Sequence, residues 1–399
     1  MKIFEIGTGY TSIPAKIGAA TEIVVEELTT SMLKQGHDVT IVDIRDIHRQ
    51  STSLPIIEVN VPYFFSSTDL KLGLVHKLKR VLYSMSLTYK LHRLLRKQKS
   101  KVILHFHNQY NLFFFLKLTP VKVRSKIIIS YTIHSYIWQG DWDDIKDIIH
   151  KRYFQEVYCC KQADKVFALN EKTTEHLRYL KVDPKKINLI ANGVNTLIYH
   201  PLSISKRNEL IQQMKLEKKN VFFQAGSICE RKNQLTSLKL LLPLMKENKS
   251  IVFIYAGGVI STEYKMNIDN FIIFNNISEQ VFYVGELKPG KVLNEYYNIS
   301  KAFLFPSTSE GFSLVILEAM SAGVPVLIDA KSGLKLPNEG KIGCLCYENE
   351  FDFKEKVRTY ILNEENRNHQ SQQARHCIEE EYSWNIIANE YIKQMKNNC

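Results

Sequence analysis

No apolar run in this sequence approaches the roughly 20 residues that a helix needs to cross a bilayer, which argues against a helical integral membrane protein. The chain starts with Lys2-Ile-Phe-Glu-Ile6, the pattern of a first strand, so we expect no signal peptide. The seven cysteines include no Cys-x-x-Cys pair, and an odd number of thiols is typical of a reducing compartment. These absences predict a cytoplasmic protein without a structural zinc site.

Acidic residues are missing from a long part of the N-terminal half: between Lys71 and Gly140 there are fourteen Lys or Arg and no Asp or Glu. Two segments within it, 72–83 and 89–96, alternate bases with apolar residues at helical spacing. Such a helix either lies on an anionic membrane surface or packs its apolar side inward and leaves its bases in water. Both alternatives stay open for residues 71–101. No module that reads nucleic acid is visible, so we expect no nucleic-acid partner.

Strands and helices alternate along the chain, which is typical of the α/β class. At 399 residues the chain exceeds the length at which one hydrophobic core keeps growing, so we expect two domains. The patterns place a first domain at 1–200, a second domain at 201–380 and a C-terminal helix at 381–399.

The most informative stretch lies between two short apolar segments, 302–306 and 325–328, each with the composition of a buried parallel strand. Between them a polar turn leads to Glu310, and strong helix formers follow up to Ala322. The predicted order is strand, loop, helix, strand. A second acid, Glu318, lies within the predicted helix.

This arrangement suits a phosphorylated polyol. The first N–H groups of a helix lack intrahelical partners and lie at the positive end of the helix dipole, so the backbone of Gly311, Phe312 and Ser313 is suited to an anion such as a diphosphate. Ionised carboxylates only accept hydrogen bonds, so Glu310 and Glu318 suit sugar and ribose hydroxyls. The alternative is that Glu310 is a solvated loop acid and that Glu318 pairs with a lysine on the helix surface.

Three segments around this motif resemble the donor-binding half of glycosyltransferase family 4. They are Val284-Gly-Glu-Leu, Leu293-Asn-Glu-Tyr-Tyr-Asn-Ile-Ser and Phe305-Pro-Ser-Thr-Ser-Glu-Gly-Phe-Ser-Leu-Val-Ile-Leu-Glu-Ala-Met-Ser-Ala-Gly-Val-Pro-Val. The resemblance implies a GT-B fold, in which two Rossmann-like domains face each other across a cleft and a C-terminal helix crosses back to the N-terminal domain. It also implies a nucleotide-sugar donor, most commonly a UDP-sugar, retention of the anomeric configuration, and no metal or other cofactor.

The resemblance also assigns a donor site by position. Its residues are Gly18, Ser227, Arg231, Lys232, Gly257, Glu286, Leu287, Glu310, Gly311, Phe312, Ser313, Leu314 and Glu318. Two positions depart from the family's pattern. Gly18 is followed by Ala19 where relatives have a second glycine, and Ser227 stands where they have the arginine that, together with Lys232, holds the donor diphosphate. Arg231 is a nearby alternative source of that charge.

Two predicted strands, 102–107 and 127–134, end in histidine. The carboxyl ends of parallel strands meet at one edge of a sheet, where ligands bind in this class. A histidine in such a place is otherwise a structural residue with satisfied hydrogen bonds, and this alternative stays open. The resemblance places His134 beside the donor sugar, and we expect His107 to contact the acceptor.

The resemblance implies the transfer of a hexose-type sugar to an acceptor hydroxyl in the synthesis of a cell-surface polysaccharide or glycolipid. We expect Lys232 to stabilise the leaving diphosphate, Glu310 to hold the sugar and His134 to position it, so these three are the catalytic candidates. The stretch between Lys71 and Gly140, which has bases and no acids, favours a lipid-linked or anionic acceptor and docking on the inner face of the membrane. Two alternatives remain: a GT-B epimerase that acts on the nucleotide-sugar itself, and a non-catalytic GT-B module that binds membranes or polyanions.

Overall fold

The structure is a computed structural model, and it describes residues 1–15, 19–61, 74–307, 310, 312–332, 334 and 342–397. The chain divides into two compact units: an N-terminal unit of Met1–Gly193 with Trp384–Cys399, and a C-terminal unit of Val194–Ser383. The predicted boundaries at 200 and 380 fall a few residues from these. Val194 forms an isolated parallel bridge with Ser383, so the first and last residues of the C-terminal unit lie side by side.

Among the described residues, the N-terminal unit contains a seven-stranded parallel sheet. Its strands are β1 (Ile3–Ile6), β2 (Val39–Ile44), β3 (Ile56–Val59), β4 (Val102–Phe106), β5 (Ile127–Thr132), β6 (Lys165–Ala168) and β7 (Ile187–Leu189). They are arranged in the order β3-β2-β1-β4-β5-β6-β7. The inner strands β1, β2, β4 and β5 are buried along their whole length, as expected for a parallel sheet with helices on both faces.

One helix or a pair of helices connects most of these strands. They are α1 (Ala20–Lys34), α2 (Leu74–Leu95), α3 (Gln109–Leu118), α4 (Val121–Arg124), α5 (Trp142–Arg152), α6 (Phe154–Gln162) and α7 (Glu171–Tyr179). The two segments in which bases alternate with apolar residues form, from residue 74 onward, one continuous helix of 22 residues, α2. Residues 71–73 of the predicted membrane contact lie outside the described residues.

The described part of the C-terminal unit contains a six-stranded parallel sheet. Its strands are β8 (Asn220–Ala225), β9 (Ile251–Ala256), β10 (Val281–Tyr283), β11 (Ala302–Phe305), β12 (Val326–Asp329) and β13 (Cys344–Tyr347), in the order β10-β9-β8-β11-β12-β13. Its helices are α8 (Ile204–Gln213), α9 (Gln234–Glu247), α10 (Thr262–Phe274), α11 (Lys291–Asn298), α12 (Leu314–Ser321), α13 (Glu350–Lys356) and α14 (Glu364–Cys377). The α/β class predicted from the sequence is confirmed.

Two helices of the C-terminal unit show how their first residues are set. The helix α10 begins at Thr262 because the Ser261 side chain accepts a hydrogen bond from the N–H of Tyr264 and caps the helix start. In contrast, α12 begins at Leu314 without a side-chain cap, within the run of helix formers that the sequence placed after Glu310.

A last helix, α15 (Trp384–Lys396), belongs to the N-terminal unit. It lies beside α1, where the Ser31 hydroxyl donates to Oδ1 of Asn385 at 2.9 Å. Its Tyr391 is fully buried, and the ring packs against His105 and Phe167. The helix therefore contributes to the core beneath the histidines at the ends of β4 and β5.

Candidate functional site

Two cations and a carboxylate meet at the carboxyl ends of β8 and β11, which are adjacent parallel strands. Arg231 and Lys232 lie in a short 3-10 turn after β8, and Glu310 follows β11. Nζ of Lys232 lies 2.7 Å from Oε1 of Glu310, and the Arg231 guanidinium donates to the same oxygen. The Ser307 hydroxyl lies 2.7 Å from this oxygen as well. The structure thus brings three of the predicted site residues into direct contact.

The charge of this cluster favours an anion. The side chains of Lys232 and Glu310 are only 15% and 9% exposed, so water screens their charges weakly. Two cations and one carboxylate leave a local charge of about +1. Ser227, at the position where the family has arginine, is half-buried, and its carbonyl accepts a hydrogen bond from the Gln234 amide at 3.0 Å. The second cation beside Lys232 is supplied by Arg231.

Glycines bring the neighbouring loops together. Gly257 follows β9 with φ of +146°, and a Cβ at this position would lie 2.0 Å from the carbonyl oxygen of Gly226. No residue larger than glycine fits this close approach. The Gly257 N–H donates to the carbonyl of Gly285 at 2.8 Å, and the exposed Glu286 follows directly. The loops that carry Ser227, Gly257 and Glu286 therefore meet at this edge of the sheet.

Glu318 lies in α12 and is buried. The hydroxyl of Tyr297 donates to Oε2 of Glu318 at 3.0 Å, and Tyr297 itself is fully buried. Burial, together with the nearby Glu318, raises the pKa of Tyr297 well above its ordinary value, so the hydroxyl keeps its proton and remains a donor. Glu318 is therefore an oriented, buried carboxylate and not an acid on a solvated helix face.

The remaining predicted donor residues lie in the loop after β10, at the start of α12 or outside the described residues. Leu287 and Phe312 are half-buried and pack against the hydrophobic core of the C-terminal unit. Ser313 is buried and directly precedes Leu314, the first residue of α12. Gly18 and Gly311 lie outside the described residues.

In the N-terminal unit a buried acid and three histidines form a chain. Glu5 of β1 lies beside His105 of β4, and His107 and His134 follow β4 and β5. Nδ1 of His105 and Nε2 of His107 lie 2.9 and 2.8 Å from Oε2 of Glu5. Nδ1 of His107 lies 3.0 Å from Nε2 of His134. The side chains of Glu5, His105 and His107 have no exposed surface, whereas His134 is half-buried.

The environment sets the charge of this chain. Burial raises the pKa of Glu5, but the neighbouring His105 and His107 outweigh this effect and lower the pKa to about 2. Burial, reinforced by His105, lowers the pKa of His107 to about 4. Burial also lowers the pKa of His134 well below its ordinary value, and His107 and His105 add to the effect. At neutral pH Glu5 is ionised, and His107 and His134 are neutral.

The expected contact between His107 and an acceptor finds no support in this geometry. Both ring nitrogens of His107 are engaged within the chain, and its side chain has no exposed surface. The sequence contained no signal for this, because burial of the residue depends on Glu5 and His134 beside it.

Glu5, His105 and His107 are residue types that bind metals, and their ligand atoms lie within 4.8 Å of one another. Hydrogen bonding accounts for every polar atom that these side chains present. The second nitrogen of His105 lies 2.8 Å from the hydroxyl of Thr132, and the nitrogens of His107 face Glu5 and His134. We interpret the cluster as a hydrogen-bonded chain, and the expected independence from metals stays a prediction.

The α2 helix has a second apolar side that faces solvent. Leu78, Val81, Met85 and Tyr89 recur every three or four residues and are 52%, 37%, 49% and 66% exposed. The opposite side of the helix carries buried residues of the core, among them Leu87. Packing therefore uses only one of the helix's two apolar sides.

Bases cluster at the C-terminal end of α2, beyond the exposed stripe. A cavity of about 800 Å³ lies at the C-terminal end of α2, and no acid is among its described lining residues. Its basic lining residues are Arg96, Lys99, Lys101, Lys122 and Lys126. None of the described helices has the length and apolar character that crossing a membrane requires.

Several residues of these two clusters, among them Glu5, Ser307 and Tyr297, were not predicted from the sequence. Glu5, an acid inside the apolar strand pattern of β1, was the visible signal for a buried charge. Ser307 and Tyr297 gave no comparable signal, because a serine in a polar turn and a tyrosine in an apolar helix side are common. Their roles depend on Glu310 and Glu318 lying opposite them.

Two family models match the chain. The model described as Glycosyltransferase Family 4 matches residues 21–196, and the model described as Glycosyl transferases group 1 matches residues 205–377. Together they span most of both units.

Curated relatives are similar over part of their length. A UDP-Gal:alpha-D-GlcNAc-diphosphoundecaprenol alpha-1,3-galactosyltransferase of Escherichia coli is 25% identical over 252 residues, which cover 61% of this chain and 61% of that protein. The alpha-galactosylglucosyldiacylglycerol synthase of Streptococcus pneumoniae is 26% identical over 221 residues, 55% of this chain and 56% of that protein. The chain thus spans between 56% and 61% of the length of these two relatives.

Solved structures match over nearly the whole chain. Sucrose-phosphate synthase from Thermosynechococcus elongatus superposes with a TM-score of 0.75 at 16% identity, over 98% of this chain and 97% of that chain. The Anabaena protein HepE, in its complex with UDP and glucose, superposes with a TM-score of 0.71 at 14% identity over 100% of both chains. At these identities the likeness concerns the fold alone.

Proposed function

The chain belongs to glycosyltransferase family 4 and has the GT-B fold, and on this basis we propose that it transfers a hexose-type sugar from a UDP-sugar to an acceptor hydroxyl. The reaction proceeds with retention of the anomeric configuration and without a metal ion. The observation that carries the proposal is the contact of Arg231 and Lys232 with Glu310 at the carboxyl ends of β8 and β11.

The leaving diphosphate is stabilised by fixed charges. As the bond between the sugar and the diphosphate breaks, negative charge grows on the leaving oxygen, and preorganised cations stabilise it without having to rearrange. Lys232 and Arg231 supply this charge, and the first N–H groups of α12, from Ser313 onward, add donors at its start. The leaving phosphate itself accepts the proton of the acceptor hydroxyl, so no side chain has to be a catalytic base.

Two carboxylates recognise the hydroxyls of the donor. Glu310 is held by Ser307 and by the two cations, and it accepts hydrogen bonds from the transferred sugar. Glu318, oriented by Tyr297, accepts from the ribose. His134 keeps the role that the family implies, a contact with the transferred sugar.

The names of relatives support the choice of donor and acceptor. HepE was solved in complexes with UDP, with UDP and glucose, and with UDP-glucose. The name of the Escherichia coli galactosyltransferase contains UDP-Gal and alpha-D-GlcNAc-diphosphoundecaprenol, and the Streptococcus pneumoniae enzyme is named a synthase of alpha-galactosylglucosyldiacylglycerol. For this chain we infer a lipid-linked acceptor of a cell-surface polysaccharide or glycolipid.

A lipid-linked acceptor requires access to a membrane surface, and α2 has the features for it. Its exposed stripe of Leu78, Val81, Met85 and Tyr89 suits the boundary between headgroups and acyl chains. The basic cavity at its C-terminal end suits anionic phosphate headgroups. We infer peripheral docking of the N-terminal unit on an anionic membrane through this surface.

The donor is tested with the full chain in EDTA, by calorimetric titration with UDP-, GDP- and ADP-hexoses followed by a search for new glycosides. We expect a UDP-hexose to bind and to be slowly hydrolysed, and both properties to be lost in Glu318→Ala. Glu263→Ala, which removes an acid from the first turn of α10, is the matched control and should bind normally.

Other outcomes distinguish the alternatives. Conversion of the free donor to its epimer, with no glycoside formed on any acceptor, indicates an epimerase. Donor binding without turnover, unchanged by Glu310→Ala, indicates a non-catalytic module.

A further inference from the structure

We propose that Glu5 and His107 are positioning residues, which fix His134 in the tautomer with its proton on Nε2 and a bare Nδ1, so that His134 accepts a hydrogen bond from a sugar hydroxyl. The identity of the bound hydroxyl rests on the proposed function. The tautomer itself follows from the hydrogen-bond geometry of the N-terminal unit.

Glu5 is ionised at neutral pH. An ionised carboxylate has no proton, so it only accepts hydrogen bonds. Both of its imidazole neighbours must therefore donate: His105 from Nδ1 at 2.9 Å and His107 from Nε2 at 2.8 Å. A neutral imidazole has one N–H, so a proton on Nε2 of His107 leaves Nδ1 of that ring as an acceptor.

The contact between His107 and His134 fixes the proton of the next ring in the same way. Nε2 of His134 lies 3.0 Å from the accepting Nδ1 of His107, so His134 must donate from Nε2. Its only proton is then used inside the chain, and Nδ1 is bare. Among the described residues, none makes a hydrogen bond to this nitrogen, and the ring is half-buried and not sealed in the core.

The buried charge thereby decides what His134 can bind. A bare ring nitrogen accepts from hydroxyl or N–H groups and cannot donate to a carbonyl or phosphate oxygen. If the Glu5 carboxylate were neutral, His107 would be free to take the opposite tautomer, and His134 would then present an N–H instead. The charge on Glu5 thus selects for a sugar hydroxyl at a ring that it does not touch.

The second histidine beside Glu5, His105, is hydrogen-bonded only to groups inside the protein, so a substitution on its side of Glu5 provides a control. Nε2 of His105 lies 2.8 Å from Oγ1 of Thr132, and the Tyr391 hydroxyl lies 3.4 Å from that oxygen. Tyr391→Phe therefore perturbs the cluster without changing the donor that His107 offers to Glu5.

The test is the ¹⁵N spectrum of histidine rings in the full-length protein without substrate, with signals assigned by single substitutions of the twelve histidines. In the wild type we expect His134 to show an N–H at Nε2 and a bare Nδ1, and Tyr391→Phe to leave these signals unchanged. Glu5→Gln should move His134 toward the Nδ1–H tautomer and lower kcat/KM about tenfold, but have no further effect in a His134→Ala background.

Three outcomes overturn the proposal: a wild-type His134 with its proton on Nδ1 or on both nitrogens, a Glu5→Gln spectrum identical to wild type, or one bound zinc per chain held by the cluster. The wild-type spectrum decides even if Glu5→Gln does not fold. The spectrum is recorded without substrate, so it tests the tautomer independently of the proposed sugar transfer. If only the proposed function fails, His134 shows the expected tautomer but no turnover is seen.

Discussion

Nζ of Lys232 and Oε1 of Glu310 lie 2.7 Å apart and join the loop after β8 to the loop after β11. The contact holds a cation and a carboxylate together at the place where we propose that the donor binds. Under the proposed function, an incoming diphosphate shares Lys232 and Arg231 with this oxygen of Glu310.

Lys232→Met should weaken binding of UDP roughly 10- to 100-fold, because hydrogen bonds to charged groups contribute about 1.5–3 kcal/mol. The measurement is calorimetric titration with UDP. Lys354→Met is the matched control, since Lys354 forms an ion pair of the same 2.7 Å length with Glu247. Equal loss in both variants would contradict a specific role for Lys232.

Arg231→Ala should lower kcat/KM about tenfold, because it removes the second cation beside the leaving diphosphate. Ser227→Arg, which restores the arginine of the family pattern, should recover part of this loss in the Arg231→Ala background. Steady-state rates of the single and double variants decide the matter. If Ser227→Arg has no effect on Arg231→Ala, the two positions do not supply the same charge.

The stability of the N-terminal unit should decrease as the pH rises from 4.5 to about 7, the range in which Glu22 titrates. Burial raises the pKa of this carboxyl from 4.5 to about 7, although the Thr8 hydroxyl that donates to it lowers the pKa. Its contribution to stability is therefore complete below pH 4.5 and is lost as the pH rises to about 7. At pH 8, Glu22→Gln should unfold at a higher urea concentration than wild type, with a free energy of unfolding that is larger by up to about 3 kcal/mol. At pH 4.5 the variant should be no more stable than wild type. The exposed Glu217→Gln is the control, and an equal gain there would refute the assignment.

Binding to anionic vesicles should depend on the exposed stripe of α2. Met85→Ser with Tyr89→Ser removes two side chains that are 49% and 66% exposed, so folding should be little affected. We expect the affinity for vesicles containing phosphatidylglycerol, measured by cosedimentation, to fall at least tenfold, because each buried methylene contributes about 0.8 kcal/mol. Ile273→Ser with Phe274→Ser on α10 removes side chains that are 67% and 86% exposed and should bind like wild type. Equal binding of both double variants would rule out docking through α2.

Local patterns in the sequence were enough for the elements that carry the donor site. The apolar runs of β11 and β12, the turn before Glu310 and the helix formers of α12 depend on neighbours a few residues away, so their order was predictable. The family's motif then supplied Glu310, Glu318 and Lys232 as candidates.

Tertiary structure decided how charges distant in sequence are paired. The choice of Arg231 as the second cation depends on its turn pointing at Glu310. The burial of His107 depends on Glu5 of β1 lying next to β4 in the sheet. The exposure of one apolar side of α2 depends on which side the core covers. Periodicity along a chain shows that a segment has an apolar or a charged side, but the sheet order and the register between strands determine what that side meets.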